Sequence, residues 1–233
     1  MIDKPVIFLL PGLMCDEAVW THQAETLSAV ADVRIPVFRG FDSLVGMANT
    51  VLAGAPERFS VAGHSMGGRV AWEVMELAAD RIDRFAILDS GVHPVKEGEA
   101  EGRHVLIDKA ISEGLQAVAD VWIPPMIHSD RHDDSALVKE IKDMILRNSI
   151  EDFQGQVKAL LNRKDQTPCL SRISHEVLLL AGENDNWSPP QQHEFMSERL
   201  ASSHLEIVPD AGHMVTMEKP KEVSKILLNW FSE

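Results

Sequence analysis

Cysteine is scarce in this chain. Cys15 and Cys169 are the whole complement, and they form neither a CxxC pair nor a zinc-ligand spacing. That excludes a disulfide framework and suits a reducing compartment. Positive charge is also in deficit: 22 Lys and Arg stand against 36 Asp and Glu, a net charge of -14. Such a surface argues against tracking nucleic acid or anionic lipid, and it leaves a small molecule as the expected partner. Long apolar runs are missing too. No segment approaches the ~20 residues of a membrane-crossing helix, and "MIDKPVIFLLPGLM" is too short and too quickly broken by Gly and Pro for a secretory leader. The expected location is therefore cytoplasmic. Internal repeats and low-complexity tracts are absent as well. Five Trp and ten Met serve equally in a core or an interface, so oligomeric state is left open.

The 233 residues, 45% apolar and 25% charged, are enough for one large domain or a domain carrying an insertion. Short apolar runs alternate with segments of helical period. The runs are "VIFLL", "VRIPVF", "FSVAG", "FAILDS", "VLLLAG" and "LEIVP". Nearly continuous apolar runs suit strands covered by helices on both faces, so the expected fold is α/β with a mostly parallel sheet. The clearest helices are "MGGRVAWEVMELAA", "SPPQQHEFMSERL" with Ser188 as N-cap and Pro189 in first position, and "KEVSKILLNWFS" with Pro220 near its first turn. Between about 92 and 168 the alternation stops. Three helical patterns fill that block, roughly 101–119, 135–147 and 150–162, with no convincing strand. The block reads as a helical insertion over one edge of the sheet, dividing the chain into a core of 1–91 and 169–233 and an insertion of 92–168.

The stretch "FSVAGHSMGGRVAW" sets Ser65 between Gly63 and Gly67, at a junction of strand and helix. A serine there is a helix cap or an exposed nucleophile on a strained turn. In the second case both glycines are required sterically, because a side chain would collide with the neighbouring strand or helix.

Through "GHSMGG" and the order of its elements, the chain resembles the α/β-hydrolase family over nearly its whole length, in a version trimmed to about six core strands with a helical cap. The resemblance implies a Ser-Asp-His triad at Ser65, Asp185 in "AGENDNW" and His213 in "DAGHMV". Each follows a predicted strand end, where open α/β sheets bind ligands. Chemically, serine needs a base, and the imidazolium that forms needs an orienting carboxylate. Asp89, Glu183 and Asp210 are rival acids; loop position favours Asp185. The resemblance also implies backbone oxyanion donors at Met66 and Leu13, although the family's usual His-Gly is replaced here by Pro11-Gly12.

Four residues are candidates for contact with substrate: His64 beside the nucleophile, Arg69, and Trp122 and Met126 in "VWIPPMIHS". Trp122 and Met126 serve equally as anchors of the cap. Arg69 in "SMGGR" resembles the menaquinone-pathway synthase of the same fold, where an arginine holds a substrate carboxylate; the bland alternative is an exposed Arg69 pairing with Glu73. His128 and His132 have metal-like spacing but no apparent third ligand, and Cys15 lacks a partner histidine, so neither a metal nor a thiol nucleophile is expected. No cofactor is required. The expected activity is hydrolysis of a small carboxylic ester. The alternatives are a carbon-carbon or enol-lactone hydrolase, a pyruvate-eliminating lyase, and, outside enzymes, a ligand-binding module or an interaction protein with a relic site.

Overall fold

The computed structural model describes residues 4–232. Among them, six strands form one sheet: β1 (Val6–Leu10), β2 (Asp32–Arg34), β3 (Phe59–His64), β4 (Ile82–Leu88), β5 (Glu176–Gly182) and β6 (Ser202–Val208). Every pairing is parallel, and the order is β2-β1-β3-β4-β5-β6. Parallel neighbours need crossovers, which the helices supply. These are α1 (Thr21–Leu27), α2 (Leu44–Ala53), α3 (Met66–Ala78), α4 (Glu99–Glu113), α5 (Leu115–Trp122), α6 (Ser135–Leu146), α7 (Ile150–Leu161), α8 (Pro190–Ser197), α9 (Val215–Glu218) and α10 (Pro220–Ser232).

Alternate strand residues feed two cores, which is why the strands read as continuous apolar runs. Ile7, Leu9, Ala86, Leu88, Leu178 and Leu180 pack with Leu27 of α1 and with Val223, Leu227 and Trp230 of α10. Their neighbours Phe8, Leu10, Val61, Phe85, Ile87 and Leu179 pack on the opposite face with α2, α3 and α8. Fully burying one such side chain contributes about 1.5–3 kcal/mol. The sheet is thus buried on both sides, and its C-terminal edge is where polar chemistry can emerge.

Several boundaries differ from the sequence expectation. "VRIPVF" supplies only Val33 and Arg34 of the three-residue β2, since Pro36 has no N–H to continue a ladder. The expected helix over 101–119 is two helices, α4 and α5, because Gly114 turns the chain at φ +87. Ser188 is not the cap of α8. Pro190 takes the first helical position and holds Pro189 extended at ψ 159, so Pro189 is the N-cap.

Helices α4 to α7 lie between β4 and β5 in the chain, and the described residues of 92–168 contain no strand. Ala110, Val118, Trp122, Ile141, Met144 and Phe153 join the core on the α1 and α10 side. At the start of α7, Ser149 and Asp152 form a reciprocal capping box.

Candidate active site

Strand β3 ends at His64 and α3 begins at Met66, leaving Ser65 alone on the turn at φ 54, ψ -118. A non-glycine residue held there costs on the order of 1–3 kcal/mol and persists only where its surroundings enforce it. They do. Ser65 N–H donates to Leu88 at 2.9 Å, and the Ser65 carbonyl accepts from Gly68 N–H at 3.0 Å and from the Ser90 hydroxyl at 2.7 Å. The flanking glycines are sterically required: a Cβ on Gly63 would lie 2.3 Å from the Gly67 carbonyl oxygen, and one on Gly67 would lie 2.1 Å from that of Leu10. The Ser65 side chain makes no capping bond to α3. Its Oγ lies 2.8 Å from His213 Nε2 instead.

His213 sits on the loop between β6 and α9, with its ring almost wholly buried. Its Nδ1 is 2.8 Å from Asp185 Oδ2, while Asp185 Oδ1 accepts from Trp187 N–H at 2.8 Å and Ser188 N–H at 3.0 Å. Burial pushes the Asp185 carboxyl up, but the charge and hydrogen bond of His213 and the two backbone donors outweigh it, so it rests below the usual carboxylate range. With Nδ1–H donated to that carboxylate, Nε2 is left to accept the Ser65 proton.

The rival acids stand elsewhere. Asp210 and Glu183 are exposed. Asp89 is fully buried and accepts from Gly182 N–H at 2.9 Å and Val215 N–H at 3.3 Å, bracing the two loops that carry Asp185 and His213. Burial, and then the charge of Asp185, raise its carboxyl well above the usual range.

Ser65 and His213 line a cavity of about 620 Å3 together with Leu13, Met66, Trp122 and Met126. Met66 opens α3, where the first backbone N–H groups have no partner within the helix. Leu13 lies in a turn closed by Cys15 N–H donating to the Gly12 carbonyl at 3.1 Å. Met126 has two parts: its side chain lines the cavity while its carbonyl accepts from His213 N–H at 2.8 Å. Trp122 stacks on Trp187 at 5.4 Å, and the Trp187 ring is 4.9 Å from that of His213. Sequence reasoning missed Trp187, which carries no periodic signal; only its place two residues after Asp185 hinted at it.

His64 reaches the cavity wall but is occupied in bracing: its Nε2 donates to the His213 carbonyl at 2.7 Å, and burial lowers its basicity. Arg69 is not the exposed partner of Glu73. It is 7% exposed, lines the cavity, and donates to the His93 carbonyl at 2.8 Å, whereas Glu73 bonds Gln166 and Lys164. Burial, then repulsion from Arg163, brings its pKa down to about 9. The Cys15 thiol also borders the cavity; burial and the nearby charge of Asp16 push it up to about 12, so it stays protonated. His128 caps a short turn through Asp130 N–H, and His132 bonds the Pro124 carbonyl. Glu218 was also missed. It is buried, and it accepts from Gly212 N–H at 2.9 Å, Met214 N–H at 3.2 Å and His128 N–H at 2.7 Å, tying the His213 loop to the segment before α6.

A family model described as "Alpha/beta hydrolase family" matches residues 7–226. The chain belongs to that family. It is 24% identical over 236 residues to a pimeloyl-[acyl-carrier protein] methyl ester esterase of Nitrosomonas europaea, covering 94% of this chain and 93% of that one. A putative 2-succinyl-6-hydroxy-2,4-cyclohexadiene-1-carboxylate synthase of Bacillus subtilis is 29% identical over 174 residues, 71% of this chain and 62% of that protein. Among solved structures, a thermophilic esterase from Thermogutta terrifontis, with malate bound, superposes with a TM-score of 0.88 at 25% identity, over 99% of this chain and 90% of that one. No helix among the described residues is long and apolar enough to cross a membrane.

Proposed function

We propose that this protein is a serine hydrolase that cleaves a small carboxylic ester through an acyl-enzyme. The observation that carries this reading is the relay of two 2.8 Å contacts, Ser65 to His213 and His213 to Asp185, opening on a 620 Å3 cavity. Ser65 Oγ attacks the ester carbonyl as His213 Nε2 takes its proton. The backbone N–H groups of Leu13 and Met66 stabilise the oxyanion. His213 then protonates the departing alcohol, and water activated by the same ring releases the acid. Asp185 holds the ring and its tautomer throughout. Residues 1–91 and 169–233 act as the catalytic core and 92–168 as a cap that supplies the Trp122 and Met126 wall. The ester-cleaving names of the Nitrosomonas and Thermogutta relatives support the reaction class. The free thiols of Cys15 and Cys169 support a cytoplasmic setting, and the acidic composition supports a small-molecule substrate over nucleic acid.

The test is exposure to a fluorophosphonate probe with peptide mapping, beside turnover of p-nitrophenyl esters of increasing acyl length. Labelling at Ser65, and loss of both signals in a folded Ser65→Ala variant, is the expected result. A folded protein that neither labels nor turns over would favour a ligand-binding module.

A second reading has its own support: Arg69 is buried in the cavity wall, and among the described residues no carboxylate lies within its hydrogen-bonding reach. A substrate carboxylate beside it suits the pyruvate-eliminating lyase suggested by the Bacillus synthase. Turnover without a trapped acyl-enzyme would favour that lyase.

A further inference from the structure

The loop that carries Leu13 is held in an unfavourable shape by side chains of the helical segment. Gly12 to Cys15 form a four-residue turn whose third residue, Met14, has φ +59. A positive φ at that position marks a type II turn and is normally filled by glycine or asparagine. Here a methionine with a fully buried side chain occupies it. Three residues of the helical segment clamp the turn. Gln156 of α7 accepts from Met14 N–H at 2.8 Å, and Asn148 donates to the Met14 carbonyl at 3.0 Å. Arg147 grips Asp16 through two bonds of 2.7 and 2.8 Å.

Gln156 is the member that joins the turn to a second buried backbone group. Its amide is 1% exposed on a helix face that otherwise buries Phe153, Val157 and Leu160, and its second arm donates to the Phe38 carbonyl at 3.1 Å. An apolar side chain would pack there as well. What it could not do is satisfy the buried Met14 N–H and the Phe38 carbonyl.

We propose that Gln156 is a positioning residue for the oxyanion donor at Leu13, acting through Met14. The link is the peptide between Gly12 and Leu13, whose carbonyl takes the turn-closing bond from Cys15 and whose N–H is the donor. Without the Gln156 acceptor, Met14 relaxes toward negative φ and the turn-closing bond loosens. The Leu13 N–H then leaves the position where charge develops. Displacements of about 1 Å in such a group cost up to ~100-fold in rate. This inference rests on the serine-hydrolase reading above.

The experiment compares wild type, Gln156→Met and Gln156→Glu with p-nitrophenyl butyrate and with an alkyl trifluoromethyl ketone, whose hemiketal oxyanion reads the same donors. Methionine keeps length and volume without polarity; glutamate, as the neutral acid that burial favours, keeps the acceptor for Met14 N–H and an O–H donor for the Phe38 carbonyl. The expected result is a kcat ~10–100-fold lower in Gln156→Met with KM changed less than about threefold, and a matching loss of ketone affinity. Gln156→Glu recovers most of both. Wild-type kcat and ketone affinity in a folded Gln156→Met overturn the proposal, as does a KM effect without a kcat effect. If Gln156→Met does not fold, Gln156→Glu decides: retained kcat and ketone affinity support the role, and loss of both at an unchanged melting midpoint refutes it. A wild type that neither labels nor turns over fails the serine-hydrolase reading first, and this inference falls with it.

Discussion

Replacing Asp185 by asparagine tests the relay at its most directional point. Asp185 Oδ1 takes two backbone N–H donors, from Trp187 and Ser188, and Oδ2 faces His213 Nδ1. Asparagine has one oxygen, and the two backbone donors claim it. Its NH2 group is then turned toward His213. Two donors cannot face each other at 2.8 Å, so the imidazole adopts the other tautomer, accepting at Nδ1 and carrying its proton on Nε2. That proton sits opposite Ser65 Oγ, where a lone pair is required. The nucleophile keeps its place but loses its base. The expected loss in kcat is about 10³–10⁴-fold, equivalent to ~4–5.5 kcal/mol of transition-state stabilisation, with KM nearly unchanged. The assay is p-nitrophenyl butyrate turnover with circular dichroism to confirm folding. Activity within tenfold of wild type in Asp185→Asn would refute the tautomer argument and return attention to Asp89.

Three further outcomes follow from local geometry. Gly67→Ala, which sets a Cβ 2.1 Å from the Leu10 carbonyl oxygen, should destabilise by roughly 1–3 kcal/mol and abolish probe labelling at Ser65, as read by melting and intact mass. Buried His193 accepts from Ser90 N–H, and burial lowers its pKa to about 4, against about 6.5 in an unfolded chain. The unfolded state therefore gains a proton first as pH falls, and the stability present above ~6.5 is lost between there and 4. His193→Gln, whose amide oxygen can replace the acceptor, should reduce the slope of the melting midpoint against pH across that window, the remainder coming from His93 and His64, which burial also holds low; an unchanged slope contradicts the assignment. Cys15, with its thiol pushed up to about 12, should resist iodoacetamide at pH 8 in the native protein despite bordering the cavity. Rapid alkylation by mass spectrometry would contradict that.

The parts legible in the sequence were those that repeat or that tolerate one residue type. Strands β1, β3, β4 and β5 announce themselves because they are buried on both faces along most of their length, so little polar alternation dilutes the run. Gly63 and Gly67 are readable because backbone oxygens occupy the space of a Cβ. What escaped was set by contacts between distant segments. The fate of Arg69 depends on where His93 falls, and its helical neighbour Glu73 is taken by Lys164 and Gln166. Gln156, Glu218 and Trp187 are single residues whose partners lie on other elements or loops, and a lone polar side chain in a helical pattern carries no mark of burial. The split of α4 from α5 needed the φ of Gly114, which local pattern does not fix, since glycine also occurs inside α4 at Gly102.

The sheet order has a consequence for how the molecule reports on itself. Ser65 and His213 are 148 positions apart, whereas Asp185 and His213 are separated by 28. The nucleophile travels with β1 to β4, and its base and acid travel with β5 and β6. Among the described residues only the β4–β5 seam, Phe85 against Val177 through Leu88 against Leu180, joins the two groups in the ladder. Covalent labelling of Ser65 is therefore a gauge of that seam. Under rising denaturant, it vanishes once the two halves part, even while each retains its own strands and helices.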